Sequence, residues 1–184
     1  MTQETSIVLI AVAAVVILGL LAWIGLRLSR SRALRRRFGP EYQRVVETAG
    51  DRRKAEAELE ARRRRVEKLH IRPLPESELG RYHEAWRGVQ ARFVEDPKQA
   101  VAEADRLVGE VMQARGYPVG DFEQRAADVS VDHPRVVTHY RAAHGIAARS
   151  AENQASTEDL RQAVIHYRAL FEDLLEARQP VGVS

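Results

Sequence analysis

An all-α fold is predicted, with an N-terminal transmembrane helix, a charged helical stalk and a distal bundle of four long helices and one short helix. Three observations predict it. Ala, Leu, Glu and Arg dominate the 184 residues, and aromatics make up only 6%, a composition of strong helix formers. Apolar residues recur at helical spacing through the second half, and no segment sustains period-2 alternation. One uncharged run of 20 residues, Ile7 to Leu26, stands near the start.

That run, residues 7–26, contains 13 Leu, Ile or Val. At about 1.5 Å per residue it reaches about 30 Å, the hydrocarbon thickness of a bilayer. Each such side chain near the bilayer centre contributes about −0.3 to −0.6 kcal/mol, so insertion gains several kcal/mol. A cleaved signal peptide fits poorly. Residues 1–6 hold no Lys or Arg, the run is too long, and it ends in Trp-Ile-Gly-Leu-Arg without a small-x-small site. An uncleaved single-pass anchor is expected.

Six arginines follow the run: Arg27, Arg30, Arg32, Arg35, Arg36 and Arg37. Positive charge on one flank orients a span, so residues 1–6 are expected outside and the long C-terminal part in the cytoplasm, at the inner membrane face. Trp23 sits at interface depth, and the arginines are expected on anionic headgroups, at about 1 kcal/mol each. Residues 1–37 carry a net +5 and residues 38–184 a net −2. The basicity is therefore local, and a nucleic-acid partner is not expected.

Residues 27–40 form a basic juxtamembrane segment that breaks at Gly39-Pro40. Residues 41–70 read as the stalk. Tyr42, Val45, Val46 and Ala49 share one face, Gly50-Asp51 permits a bend, and Ala55, Leu59, Arg62, Val66 and Leu69 form a weak heptad seam. If continuous, this helix would be about 43 Å long, and its seam offers homo-oligomerisation as a coiled coil. Arg62 to Arg65 point around most of the helix and are diluted by Glu56, Glu58, Glu60 and Glu67, which disfavours a nucleic-acid arm. Residues 71–75, with two prolines, form a linker.

Residues 76–178 are expected to form the bundle, followed by a tail, 179–184. Tyr82, Trp86, Val89 and Phe93 mark the inner face of its first helix. Asp96-Pro97 starts the second, which buries Val101, Ala104, Leu107, Val108, Val111 and Met112 and stops at Gly116. Asp121 with Gln124 resembles a capping box for the short third helix. Val129 to His133 is expected as a non-helical connector, with Asp132 capping a fourth helix from about Pro134 to Arg149. Ser156 caps the fifth, whose inner face runs from Leu160 to Leu175.

The block Tyr117 to Asp128, continuing as Val131-Asp132-His133-Pro134, together with Ser156 to Ala163, resembles an uncharacterised family of bacterial single-span membrane proteins with a helical C-terminal domain. The resemblance extends over most of residues 76–177. It implies the architecture and brings no activity, cofactor or partner with it.

No catalytic, cofactor or metal set is predicted. The chain has no cysteine, which removes thiolate ligands and a cysteine nucleophile. No phosphate loop, dinucleotide fingerprint or His-Glu-x-x-His occurs. Ser130, Asp132 and His133 lie too close in sequence to assemble a triad easily, and His139 and His144 do not share a helical face. Phe122, Arg125, Asp128, Asp132, His133 and Arg135 combine an aromatic ring with both charge signs, and they are expected to bind a protein partner. The blander reading is that Arg125 and Asp128 pair with each other. The expected function is interaction or scaffolding at the inner membrane face. The alternatives are acid–base catalysis at Asp132/His133, or an envelope-facing or released domain of opposite topology.

Overall fold

The computed structural model describes residues 3–118 and 120–176, with side chains from residue 16 onward. Among the described residues there are eight α-helices and no strand. The chain divides into two compact units, residues 1–37 and 38–184.

The first unit is built on α1 (Gln3–Phe38), a helix of 36 residues. It runs on through the arginine cluster, and Gly39 (φ 48°) and Pro40 break it where the sequence placed the break. Among the described residues no helix is long and apolar enough to cross a membrane. Of the expected span, the side chains of residues 7–15 lie outside the described residues. From residue 16 on, Val16, Ile17, Leu18, Leu20, Leu21, Trp23, Ile24 and Leu26 are exposed.

In the second unit, the stalk expected as one rod is a helical hairpin, α2 (Pro40–Ala49) and α3 (Arg52–Val66). Two residues turn the chain. Gly50 adopts a left-handed conformation (φ 65°) and donates its N–H to Val46 O at 3.1 Å. Asp51 then caps α3, its Oδ1 accepting from Lys54 N–H at 2.9 Å. The Tyr42 hydroxyl donates to Glu56 at 2.8 Å, which closes the hairpin. Ala55, Leu59, Arg62 and Val66 of the heptad seam are buried within the chain itself. The hairpin packs on the bundle, α3 against α6 and α2 against α7.

The bundle comprises α4 (Glu76–Glu95), α5 (Pro97–Arg115), α6 (Phe122–Asp132), α7 (Val137–Ala151) and α8 (Thr157–Glu176). Helices α4, α5, α7 and α8 pack in the order α4–α5–α8–α7. Their expected inner faces make the core: Tyr82, Trp86 and Val89 of α4, Val101 to Met112 of α5, Tyr140 and Ala143 of α7, and Tyr167 to Leu174 of α8. Trp86 stacks on Phe171 with centroids 4.8 Å apart. The cap at Asp96 forms as expected, accepting from Gln99 N–H at 3.0 Å; Asp121 likewise accepts from Gln124 N–H at 2.8 Å, but the Gln124 side chain turns to Asp128 instead of completing the expected box. Ser156 Oγ accepts from Asp159 N–H at 3.1 Å, while Asp159 Oδ2 accepts from Ser156 N–H at 2.9 Å, a reciprocal cap. The end of the bundle segment, 177–178, and the tail, 179–184, lie outside the described residues.

Glu41 is the ionic centre of this unit. Its side chain is 1% exposed. It accepts from Arg44 Nη2 at 2.7 Å, Arg62 Nη1 at 3.0 Å and Arg141 Nη2 at 3.3 Å, so α2, α3 and α7 meet on one carboxylate. Burial by itself would raise its pKa, but the Arg44 hydrogen bond and the Arg141 and Arg44 charges outweigh burial and hold it below the usual 4.5. A carboxyl held down in this way stabilises the fold above its unfolded pKa and ceases to do so as pH falls through the folded value. Glu41→Gln leaves three guanidinium groups around an uncharged amide and is expected to cost about 3 kcal/mol at neutral pH, measured by chemical denaturation. Wild-type stability should hold from pH 7 to about 4.5 and decline below that, and the variant should lack Glu41's share of that decline.

Candidate functional site

Residues 121–135, the segment expected to recognise a partner, are mostly helix. The connector predicted over 129–133 is the C-terminal turn of α6, which runs to Asp132. Ala126, Val129, Ser130 and His133 recur at helical spacing and are all buried. Burial of that face overrides the low helix propensity of Val129 and Val131. His133 ends the helix, donating its N–H to Val129 O at 2.8 Å. Residues 134–136 then form a turn, so α7 starts three residues later than expected. Its N-cap is Val136, with no side-chain cap bond. Asp132 therefore does not cap α7; its Oδ2 accepts from the Tyr117 hydroxyl at 3.1 Å. Burial first, and the Asp132 charge second, hold the Tyr117 pKa well above its ordinary value.

The six expected surface residues are split up by the fold. Asp128 is fully buried. Its Oδ1 accepts from Arg65 Nε at 2.7 Å and lies 2.6 Å from Arg65 Nη2, and Gln124 Nε2 reaches its two oxygens at 3.1 and 3.0 Å. The Arg125–Asp128 pair does not form, because the partner comes from α3 instead. Arg125 lies over Gly109, where a Cβ would stand 3.1 Å from Nη1. It lines a cleft of about 200 Å³ with Asp105, Tyr117 and Pro118, and its buried Nε has no hydrogen-bond partner. Phe122 stacks on His144 with centroids 3.6 Å apart and packs against Tyr140 at 4.9 Å. Arg135 alone of the six is exposed.

His133 has the makings of a catalytic base but sits in a structural node. Its Nδ1 meets Asp173 on α8, and its Nε2 stands 3.4 Å from Arg115 Nη1. A guanidinium only donates. Nε2 therefore carries the lone pair, and Nδ1–H donates to Asp173. A base of this kind activates a nucleophile through Nε2, and here that position faces a cation. Ser130 Oγ is likewise engaged, donating to Ala127 O at 2.7 Å. Arg115, 1% exposed, also donates to Leu174 O at 2.9 Å and to Arg72 O at 3.3 Å. The node thus ties α5, α6, α8 and the 71–75 linker together. Gly116 (φ 101°) permits the close approach, since a Cβ there would stand 2.4 Å from His70 O.

A larger cleft, about 600 Å³, opens beside the start of α6 and is lined by Arg44, Phe122, Glu123, Arg141, His144 and Gly145. Arg141 bridges Glu123, at 2.7 Å, to the buried Glu41. Among the described residues no three His, Cys, Asp or Glu side chains are placed to hold a metal ion. In unit 1, Arg27 lies over the Trp23 ring, 5.2 Å from its centroid, and Arg30, Arg32, Arg35, Arg36 and Arg37 are solvent-accessible.

Comparison of the chain with protein-family models, with curated proteins and with solved structures finds no match.

The Arg65–Asp128 contact couples α3 to α6 and should be measurable. In a double-mutant cycle with Arg65→Gln and Asp128→Asn, followed by urea unfolding, a coupling energy of about 1–3 kcal/mol is expected. The Asp128→Asn single change should be the costlier of the two, because Asp128 is fully buried and Arg65 is not.

Proposed function

We propose that this chain is a membrane-tethered helical module whose second unit works by binding another protein at the inner face of the membrane, without catalysis of its own. The observation that carries the reading is the apolar surface of α1. Between residues 16 and 26, side chains at successive 100° steps around the helix are apolar and exposed. A helix that is apolar all round has no water-facing side, and a surrounding hydrocarbon phase satisfies it. The exposed run continues the uncharged sequence that starts at Ile7 and gives way to six arginines within 11 residues. That charge asymmetry supports an N-out, C-in orientation, with Trp23 and the arginines at headgroup level.

For the second unit, the binding reading rests on what the fold leaves accessible. Of the ionic groups of α6, Asp128 is taken up by Arg65 and Asp132 by Tyr117, and the Nε2 of His133 at its end faces Arg115. Arg135 and the cleft between α2, α6 and α7 are accessible, with Arg44, Glu123 and the Phe122–His144 stack on the cleft walls.

Full-length protein in native membranes should stay in the pellet through alkaline carbonate extraction and float with lipid. A chain lacking residues 1–26 should move to the supernatant, with unchanged helical signal for the second unit. Protease added to intact spheroplasts should spare the second unit and digest it only after lysis. Release of the full chain by carbonate, or digestion in intact spheroplasts, would overturn the anchor or the orientation respectively.

A further inference from the structure

Away from the ionic nodes, two histidines that are far apart in sequence meet on the surface of the bundle. His139 lies in the first turn of α7 and His166 in the middle of α8. Their Nδ1 atoms are 2.9 Å apart. Their ring centroids are 5.0 Å apart, with planes inclined by 29°. The centroids stand much farther apart than the nitrogens, so the rings meet nitrogen edge to nitrogen edge and not face to face. His139 is exposed and His166 half-buried.

We propose that His139 and His166 form a two-imidazole site for a first-row transition-metal cation of the Zn²⁺ or Cu²⁺ kind. Imidazole nitrogen suits both ions. Two nitrogens bound at about 2.0–2.1 Å to a tetrahedral ion stand about 3.3 Å apart. The pair is within about half an ångström of that separation, and a small rotation of two surface side chains supplies the difference. In the metal-free pair a single hydrogen lies between the two nitrogens, since one must donate and the other accept. Binding moves that hydrogen to Nε2 of the same ring, leaving two Nδ1 lone pairs on the ion and no change in net protonation.

The two ligands come from different helices, so a bound ion bridges α7 and α8. The remaining coordination positions fall to water, because no third His, Cys, Asp or Glu joins the pair among the described residues. An open site of this type can take a further ligand from outside the chain.

The test uses tag-free full-length protein in detergent micelles, titrated calorimetrically with ZnCl₂ and with CuCl₂. One ion per chain is expected, with a rise in Tm, and the Cu²⁺ adduct should show hyperfine splitting from two nitrogens in its electron paramagnetic resonance spectrum. His139→Ala and His166→Ala should each weaken binding at least tenfold and abolish the Tm rise, with helicity checked by circular dichroism. His139→Gln and His166→Gln replace them if helicity falls. His70→Ala, which removes an isolated exposed histidine, should leave all three readouts unchanged. No saturable binding by the wild type, a one-nitrogen Cu²⁺ spectrum, or binding that survives both substitutions would overturn the proposal.

Discussion

The second unit depends on burying two carboxylates that can be buried only in company. Glu41 and Asp128 are almost wholly removed from water, and an ionised carboxylate in that position is tolerated only with hydrogen-bonded cations around it. Beside Arg44 of the same helix for Glu41, the cations come from other helices: Arg62 of α3 and Arg141 of α7 for Glu41, and Arg65 of α3 for Asp128. The α2–α3 hairpin is therefore held to α6 and α7 by pairs that must form together. Apolar seam residues such as Leu59 and Val66 supply area, and the ion pairs supply register, because the two buried carboxylates are satisfied only when α3 and α7 present their arginines to them.

The same constraint decides what α6 can do. Its charged residues suggest a recognition surface, yet Asp128 is used by α3, Asp132 by Tyr117, and His133 by Asp173 and Arg115. A His–Asp pair beside a serine invites a hydrolytic reading. In the structure the guanidinium of Arg115 faces Nε2, and the serine hydroxyl is bonded to Ala127 O. The cleft beside Phe122 and the histidine pair on α7 and α8 are accessible, and both are assembled from residues distant in sequence.

Much of the bundle was legible from spacing. The inner faces of α4, α5, α7 and α8, the caps at Asp96, Asp121 and Ser156, and the stop at Gly116 are local consequences of side-chain chemistry, and they stand where the pattern placed them. Two expectations about the path of the chain failed for related reasons. The Gly50–Asp51 bend becomes a full reversal because α3 has a surface to fold onto, and Val129–Asp132 becomes helix because α6 has α3 and α7 to pack against. Local propensity holds no information about either surface.

By itself, the sequence determined that the chain is helical, where most helices begin and end, that its basic charge is confined to one cluster, and that an uncharged run precedes it. These are short-range properties of composition and periodicity. Only the tertiary structure decided which charges are buried and which histidines meet. Glu41 and Arg141 are 100 positions apart, and His139 and His166 are 27 apart. Pairs at such separations are set by how helices pack, and no spacing rule along the chain encodes them.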